Sequence, residues 1–157
     1  MNFLIIEDNR SKLRELKKII KYNYPTGKIH DALSYTAGLR RVYEEKWDVI
    51  LLDMSLPVYD MNQQDAGGDK KPVAGKEIMK RMLHRKIIVP TVVVTQFDTF
   101  GESGITIDSL NKEFENTMDE IWKGTVNYGS NMWASELKTI IDSIFKVKDK
   151  DEKNTNC

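Results

Sequence analysis

A chain of 157 residues suits one compact domain and leaves little room for a second. Hydrophobic residues make up 40% and charged residues 31%, and 24 basic side chains balance 24 acidic ones. This excludes a disordered polyelectrolyte and argues against direct binding to nucleic acid or to an anionic membrane surface. The single cysteine, Cys157, excludes an internal disulfide framework and a thiolate zinc cluster. No stretch approaches the ~20 apolar residues that span a bilayer. The apolar run Phe3 to Ile6 ends at once in Glu7 and Asp8 and has no basic start, unlike a signal peptide. A soluble, cytoplasmic protein is expected.

In chain order, short apolar runs alternate with segments of helical period. A strand is expected at 2–6, then a helix whose stripe is Leu13, Leu16, Ile19 and Ile20. A weaker strand at 28–31 precedes a helix carrying Leu39, Val42 and Tyr43. The run 47–52 reads as the third strand. The polar, glycine-bearing stretch 58–73 reads as a long loop, and Ile78, Met79, Met82 and Leu83 mark the third helix. A fourth strand at 91–94 is followed by a loop at 96–107 and a helix at roughly 108–123. The fifth strand is expected at 124–128. Leu137, Ile140, Ile141, Ile144 and Phe145 step by three and four, the clearest amphipathic helix of the chain. The charged tail 147–157 is expected to be disordered, leaving a domain at 1–146. Runs of continuous rather than alternating hydrophobicity fit strands covered on both faces, so five βα units predict a doubly wound α/β domain with a parallel sheet.

In such a sheet, ligands sit beyond the carboxyl ends of the strands. The first strand ends in Glu7 and Asp8, the third in Asp53 and the fourth in Thr95. Three carboxylates brought together repel one another and call for a cation, and an all-oxygen set suits magnesium. A carboxylate can also act as a nucleophile toward phosphorus. Asp53 is therefore the candidate phosphoacceptor, with the Thr95 hydroxyl as a donor to a phosphoryl oxygen.

FLIIEDN, DVILLDMSLP and PTVVVTQ, in this order, resemble the three signatures of response-regulator receiver domains over about residues 2–146. The resemblance implies a flavodoxin-like fold with five parallel strands in the order 2-1-3-4-5 and helices on both faces. It implies Asp53 as phosphoacceptor, Mg2+ held by Glu7, Asp8, Asp53 and the Ser55 backbone carbonyl, and Thr95 and Tyr128 as switch residues. Gly75 fits the glycine that opens the third helix, displaced by the long loop. The phosphoryl donor would be a histidine kinase or a phosphotransfer protein. With no effector domain fused at either end, output would pass to a downstream protein through a surface carrying Phe97, Phe100 and Trp133. The chain departs from the pattern after the fifth strand, where receivers carry a lysine: the sequence GTVNYGSNMW has none. This marks a divergent branch.

The domain is expected to be a phosphoacceptor and not an enzyme acting on external substrates. The alternative is a pseudo-receiver, an interaction module independent of phosphorylation. An aspartate-nucleophile phosphatase would want a second acid two residues after Asp53, and Ser55 stands there. His30 and His84 are expected to be structural, and Lys76, Lys80, Arg81, Arg85 and Lys86 to form a solvated helix face. Asp98 and Glu102 are expected to be exposed.

Overall fold

The apolar runs become a central sheet whose two faces are covered by separate sets of helices. The computed structural model describes residues 1–60, 70–96, 98–102 and 104–155. Five strands form the sheet: β1 (Asn2–Ile6), β2 (Lys28–Ala32), β3 (Val49–Leu52), β6 (Thr91–Thr95) and β9 (Trp122–Asn127). Their order is β2-β1-β3-β6-β9 with every pairing parallel, which is the expected 2-1-3-4-5 arrangement. Two small antiparallel ribbons lie outside it, β4 (Leu56–Pro57) with β5 (Lys70–Lys71) and β7 (Thr99–Phe100) with β8 (Ile105–Thr106). The helices are α1 (Arg10–Asn23), α2 (Tyr35–Glu44), α3 (Ala74–His84), α4 (Ile107–Thr117) and α5 (Trp133–Thr155).

Alternation along each strand sends neighbouring residues to opposite faces. Leu4, Ile6, Ile50, Leu52 and Val93 join Val42, Ile78, Met79, Leu110 and Phe114 in one core. Phe3, Ile5, Val49, Leu51, Val92, Val94 and Val126 join Leu13, Leu16, Ile20, Leu137 and Ile141 in the other. Two apolar faces explain why the strands read as unbroken hydrophobic runs. None of the helices among the described residues is long and apolar enough to cross a membrane.

Three boundaries differ from the sequence reading. The fourth helix ends at Thr117, and β9 starts at Trp122, so Lys123 lies within the strand rather than before it. A bulge between Thr91 and Val92 shifts the pairing of β9, and Gly124 takes φ 153°, a backbone that disfavours other residues. The segment 96–107 contains the β7–β8 ribbon, with Phe100 buried. The tail assigned to disorder instead continues α5 to Thr155. Its alternating charges support a solvated helix, and the Lys148 ammonium donates to the Asp48 carboxylate (3.1 Å) and carbonyl (3.2 Å), 100 residues away. Of the long loop, residues 61–69 lie outside the described residues.

Gly75, the second residue of α3, meets the end of β3. A Cβ there would lie 2.5 Å from the Asp53 carbonyl oxygen and 2.4 Å from Met54 Cε. The methionine can move, but the backbone carbonyl cannot move without shifting the strand end. Gly75→Ala is expected to lower the unfolding free energy by about 1–3 kcal/mol, the usual cost of overpacking, read as a lower urea midpoint at unchanged m-value. A midpoint equal to that of the unchanged chain would show that the helix start yields without cost.

Candidate functional site

Strand register alone brings the acids together. Ile6 is level with Leu52 in the β1–β3 pairing, so Glu7 and Asp53 leave the sheet side by side. The Asp53 N–H donates to the Ile6 carbonyl at 3.1 Å, holding Asp53 against the end of β1. Leu52 pairs in turn with Val93, which sets Val94 and Thr95 beside the same rim. One carboxylate oxygen from each of Glu7, Asp8 and Asp53 lies within 4.8 Å of the others. Glu7 is 2% exposed and Asp53 5%, so both carboxyl groups are largely desolvated.

Local hydrogen bonds fix these side chains. Glu7 Oε1 accepts the Asn9 N–H at 3.0 Å, and Asn9 caps α1 by accepting the Lys12 N–H at 3.0 Å. Asp53 Oδ1 accepts the Met54 N–H at 2.8 Å. The fourth member of the cluster is Lys12, 3% exposed, which the sequence reading missed. Its Nζ lies 2.7 Å from Glu7 Oε2 and 3.5 Å from Asp53 Oδ1, and donates to the Val94 carbonyl at 2.7 Å. A signal for it exists in the sequence. Lys12 stands four residues before Leu16 and eight before Ile20, on the buried stripe of α1, where an unpartnered ammonium would be untenable.

The electrostatics follow from burial. Desolvation, then the charge of Asp53, pushes the Glu7 carboxyl up to about 7, against the opposing pull of Lys12. Desolvation likewise raises Asp53, while Lys12 draws it down. Glu7 Oε2, despite its ion pair, lies outside hydrogen-bond geometry, and among the described residues it and Asp8 Oδ1 are buried oxygens without a hydrogen-bond partner. Two orphaned acid oxygens beside a third carboxylate are a hard-oxygen donor set that fits a magnesium-sized cation. Asp8 Oδ2 pairs with Lys70 Nζ at 2.8 Å, so the stretch that returns from the long loop also reaches this rim. Burial alone would lower Lys70; its hydrogen bond to Asp8 and the nearby acids hold it above its ordinary value.

The remaining predicted site residues separate. Thr95 is buried at the end of β6, and its carbonyl accepts the Tyr128 N–H at 2.8 Å. Tyr128 is half-buried just past β9, with its ring centroid 5.0 Å from that of Trp133 and 5.6 Å from Lys12 Nζ. Ser55 is half-buried in the turn after Asp53. Phe100 corrects the expected partner surface: it is 3% exposed, held in the core by the β7–β8 ribbon, and cannot act as an exposed anchor. Trp133 is half-buried at the start of α5, while Phe97 lies outside the described residues. His30 packs edge-on against Trp47, as a structural histidine would.

A pH dependence follows from Glu7. Between the ordinary value near 4.5 and about 7, the folded metal-free protein holds a proton that the unfolded chain does not. Its stability should therefore fall as pH rises through that window, and a divalent cation in excess should offset the fall, because it binds the deprotonated acids. Urea melts between pH 4.5 and 7 with chelator or magnesium measure this; stability that rises with pH in chelator contradicts the buried-acid description.

No protein-family model matches the chain. It is 32% identical over 143 residues to the Detocs response regulatory protein DtcB of Enterobacter cloacae, covering 87% of this chain and 95% of the relative. Among solved structures it resembles the receiver domain of the Francisella response regulator 1452, with TM-score 0.65, 15% identity and coverage of 94% and 98% of the two chains. It also resembles the response regulator TrrA of Thermotoga maritima, solved in complex with Mg2+-BeF, with TM-score 0.60, 14% identity and coverage of 91% and 97%. With its sheet order, its acids at the strand ends and this degree of identity to a curated relative, the chain belongs to the response-regulator receiver family.

Proposed function

We propose that the protein is a phosphoacceptor in two-component signalling, taking a phosphoryl group on Asp53 from the phosphohistidine of a kinase or phosphotransfer protein. The observation that carries this reading is the convergence of Glu7, Asp8 and Asp53 within 4.8 Å at the carboxyl edge of the sheet. An Asp53 carboxylate oxygen forms a bond to phosphorus as the phosphorus–nitrogen bond of the donor breaks, and the electron pair returns to the imidazole nitrogen. Glu7, Asp8, Asp53 and the Ser55 carbonyl would hold Mg2+. When bound, that ion supplies positive charge against the phosphoryl oxygens.

The chain's own residues do the positioning. The Met54 N–H fixes one Asp53 oxygen, the Ile6 carbonyl fixes the Asp53 backbone, and the tight approach of Gly75 sets the turn beyond. Burial removes competing water from the acceptor. Thr95, buried at the neighbouring strand end, is the hydroxyl donor to the new phosphoryl group in this reading, and Tyr128 responds through its backbone bond to the Thr95 carbonyl. Output passes to a protein partner through the surface near Tyr128 and Trp133 rather than to nucleic acid or membrane. One observation favours the competing pseudo-receiver reading: residues 127–131, past the core of β9, are Asn, Tyr, Gly, Ser and Asn, with no cation.

Incubation of the full chain with magnesium and acetyl phosphate, followed by intact-mass measurement, decides between these readings. The expected result is one added phosphoryl mass, abolished by Asp53→Asn and by chelator. Asp8→Asn should weaken magnesium binding by about tenfold or more, as loss of one unit of charge at contact distance implies. Absence of an adduct with acetyl phosphate and with phosphorylated donor proteins alike would leave the pseudo-receiver reading in place.

A further inference from the structure

We propose that Lys12, delivered from α1, is the phosphoryl-binding cation of this domain and replaces the lysine missing after the fifth sheet strand. The inference rests on Asp53 being the acceptor. A phosphoryl group brings negative charge into a rim that already holds three carboxylates. The end of β9 offers no cation, and Lys123 is exposed at the far end of that strand, where its Nζ donates to the Asp119 carbonyl at 3.4 Å.

Lys12 is placed for the task. Its ammonium is 3.5 Å from Asp53 Oδ1, so oxygens on a phosphorus bonded to that carboxylate fall within its reach. Its ammonium donates to the Val94 carbonyl at 2.7 Å, is ion-paired with Glu7 Oε2 at 2.7 Å and faces the Asp53 side, so N–H donors remain for a new oxygen. The Val94 bond anchors the group one residue before Thr95. The backbone at position 12 is pinned by the Asn9 cap, so the side chain is aimed before any ligand arrives. The Tyr128 ring, 5.6 Å from Nζ, presents an aromatic neighbour to the cation at the strand end where other receivers carry the lysine itself.

With Glu7 committed to a cation, the Lys12 ammonium would be free to turn from its present carboxylate partner. The ammonium would then trade its ion pair with Glu7 Oε2 for a phosphoryl oxygen while keeping its hydrogen bond to the Val94 carbonyl, and no covalent bond changes. Lys70 is the competing candidate. It is exposed and pairs with Asp8, an acid that would itself hold the metal, so its place at the rim depends on a carboxylate the metal would use. Lys12 is buried, and its backbone anchor does not depend on any acid. The contact would also pass phosphorylation to the output side, since Val94 is covalently followed by Thr95, whose carbonyl holds Tyr128.

The test titrates beryllofluoride, a phosphoryl mimic, against the full chain in saturating magnesium, and magnesium alone in parallel. Lys12→Met is expected to weaken beryllofluoride binding by about tenfold or more, equivalent to about 1.4 kcal/mol. Magnesium binding should stay equal or tighten, because a cation that competes for Glu7 has gone. Beryllofluoride binding equal to that of the unchanged chain overturns the proposal. So does parallel loss of both ligands, the mark of a merely structural lysine, and so does a loss that appears in Lys70→Ala but not in Lys12→Met. Failure of the unchanged chain to bind beryllofluoride in magnesium sinks the acceptor reading itself, a distinct result. Should Lys12→Met and Lys12→Gln both fail to fold, the Lys12 Cε resonance of the unchanged chain serves: it should shift on adding beryllofluoride beyond any shift with magnesium alone, and no further shift overturns the assignment.

Discussion

The structure turns on one electrostatic constraint: parallel register places Glu7 and Asp53 next to each other in a nearly dry rim, and a buried lysine must be there to hold them. Desolvation drives both carboxyl groups upward in pKa, and the charge of Asp53 raises Glu7 further, so the pair needs a compensating cation. Lys12 answers this from the first turn of α1, where it is buried along with Leu13, Leu16 and Ile20. The arrangement is stable but unsatisfied. Among the described residues Asp8 Oδ1 and Glu7 Oε2 have no hydrogen-bond donor, and such buried oxygens are the ones a hard cation can use.

The fold supplies this constraint cheaply, because every contributor is a local consequence of a strand ending. β1 runs out at Ile6, and the next three residues are an acid, an acid and a helix cap. β3 runs out at Leu52, and Asp53 follows with its N–H still tied to β1. The turn beyond is clamped from two sides, by Gly75 against the Asp53 carbonyl and by Thr36, whose N–H and hydroxyl both donate to the Val58 carbonyl. The site is thus built from rigid element ends, and the long insertion enters only after the geometry is set. Its return strand then brings Lys70 to Asp8.

Much of this was legible in the sequence, for physical reasons that also mark where legibility ends. Continuous apolar runs gave the strands because both faces of the sheet are covered, and β1 falls on residues 2–6 as read. Motif order gave Glu7, Asp8 and Asp53, because register converts strand ends into neighbours. Phe100 was misread because a polar, glycine-bearing segment suggested an open loop, whereas two residues of antiparallel pairing fold it inward. The tail was misread because charge alternation is shared by disorder and by solvated helix; the Lys148–Asp48 contact, 100 residues apart in the chain, is invisible to any local window. Lys12 was missed because attention went to strand ends, while the compensating charge sits on a helix stripe.

That last miss concerns how an ion-binding rim tolerates substitution. In the proposed reading, the pocket requires a positive charge within contact distance of the Asp53 carboxylate, held on an anchor that a bound metal would leave in place. The identity of the element that carries it is secondary. The β9 end and the first turn of α1 both border Val94 and Thr95, so a lysine on either can reach the same space. Placing it on α1 changes what the charge is linked to. Its anchor is the backbone of β6, and its aromatic neighbour is Tyr128, which packs on Trp133 at the start of α5. In the proposed reading, a change of charge at Asp53 would be felt first along β6 and at the first turn of α5. In that reading the half-buried Tyr128–Trp133 pair, rather than the core-bound Phe100, would be the place where a change inside the pocket alters the surface that a partner meets.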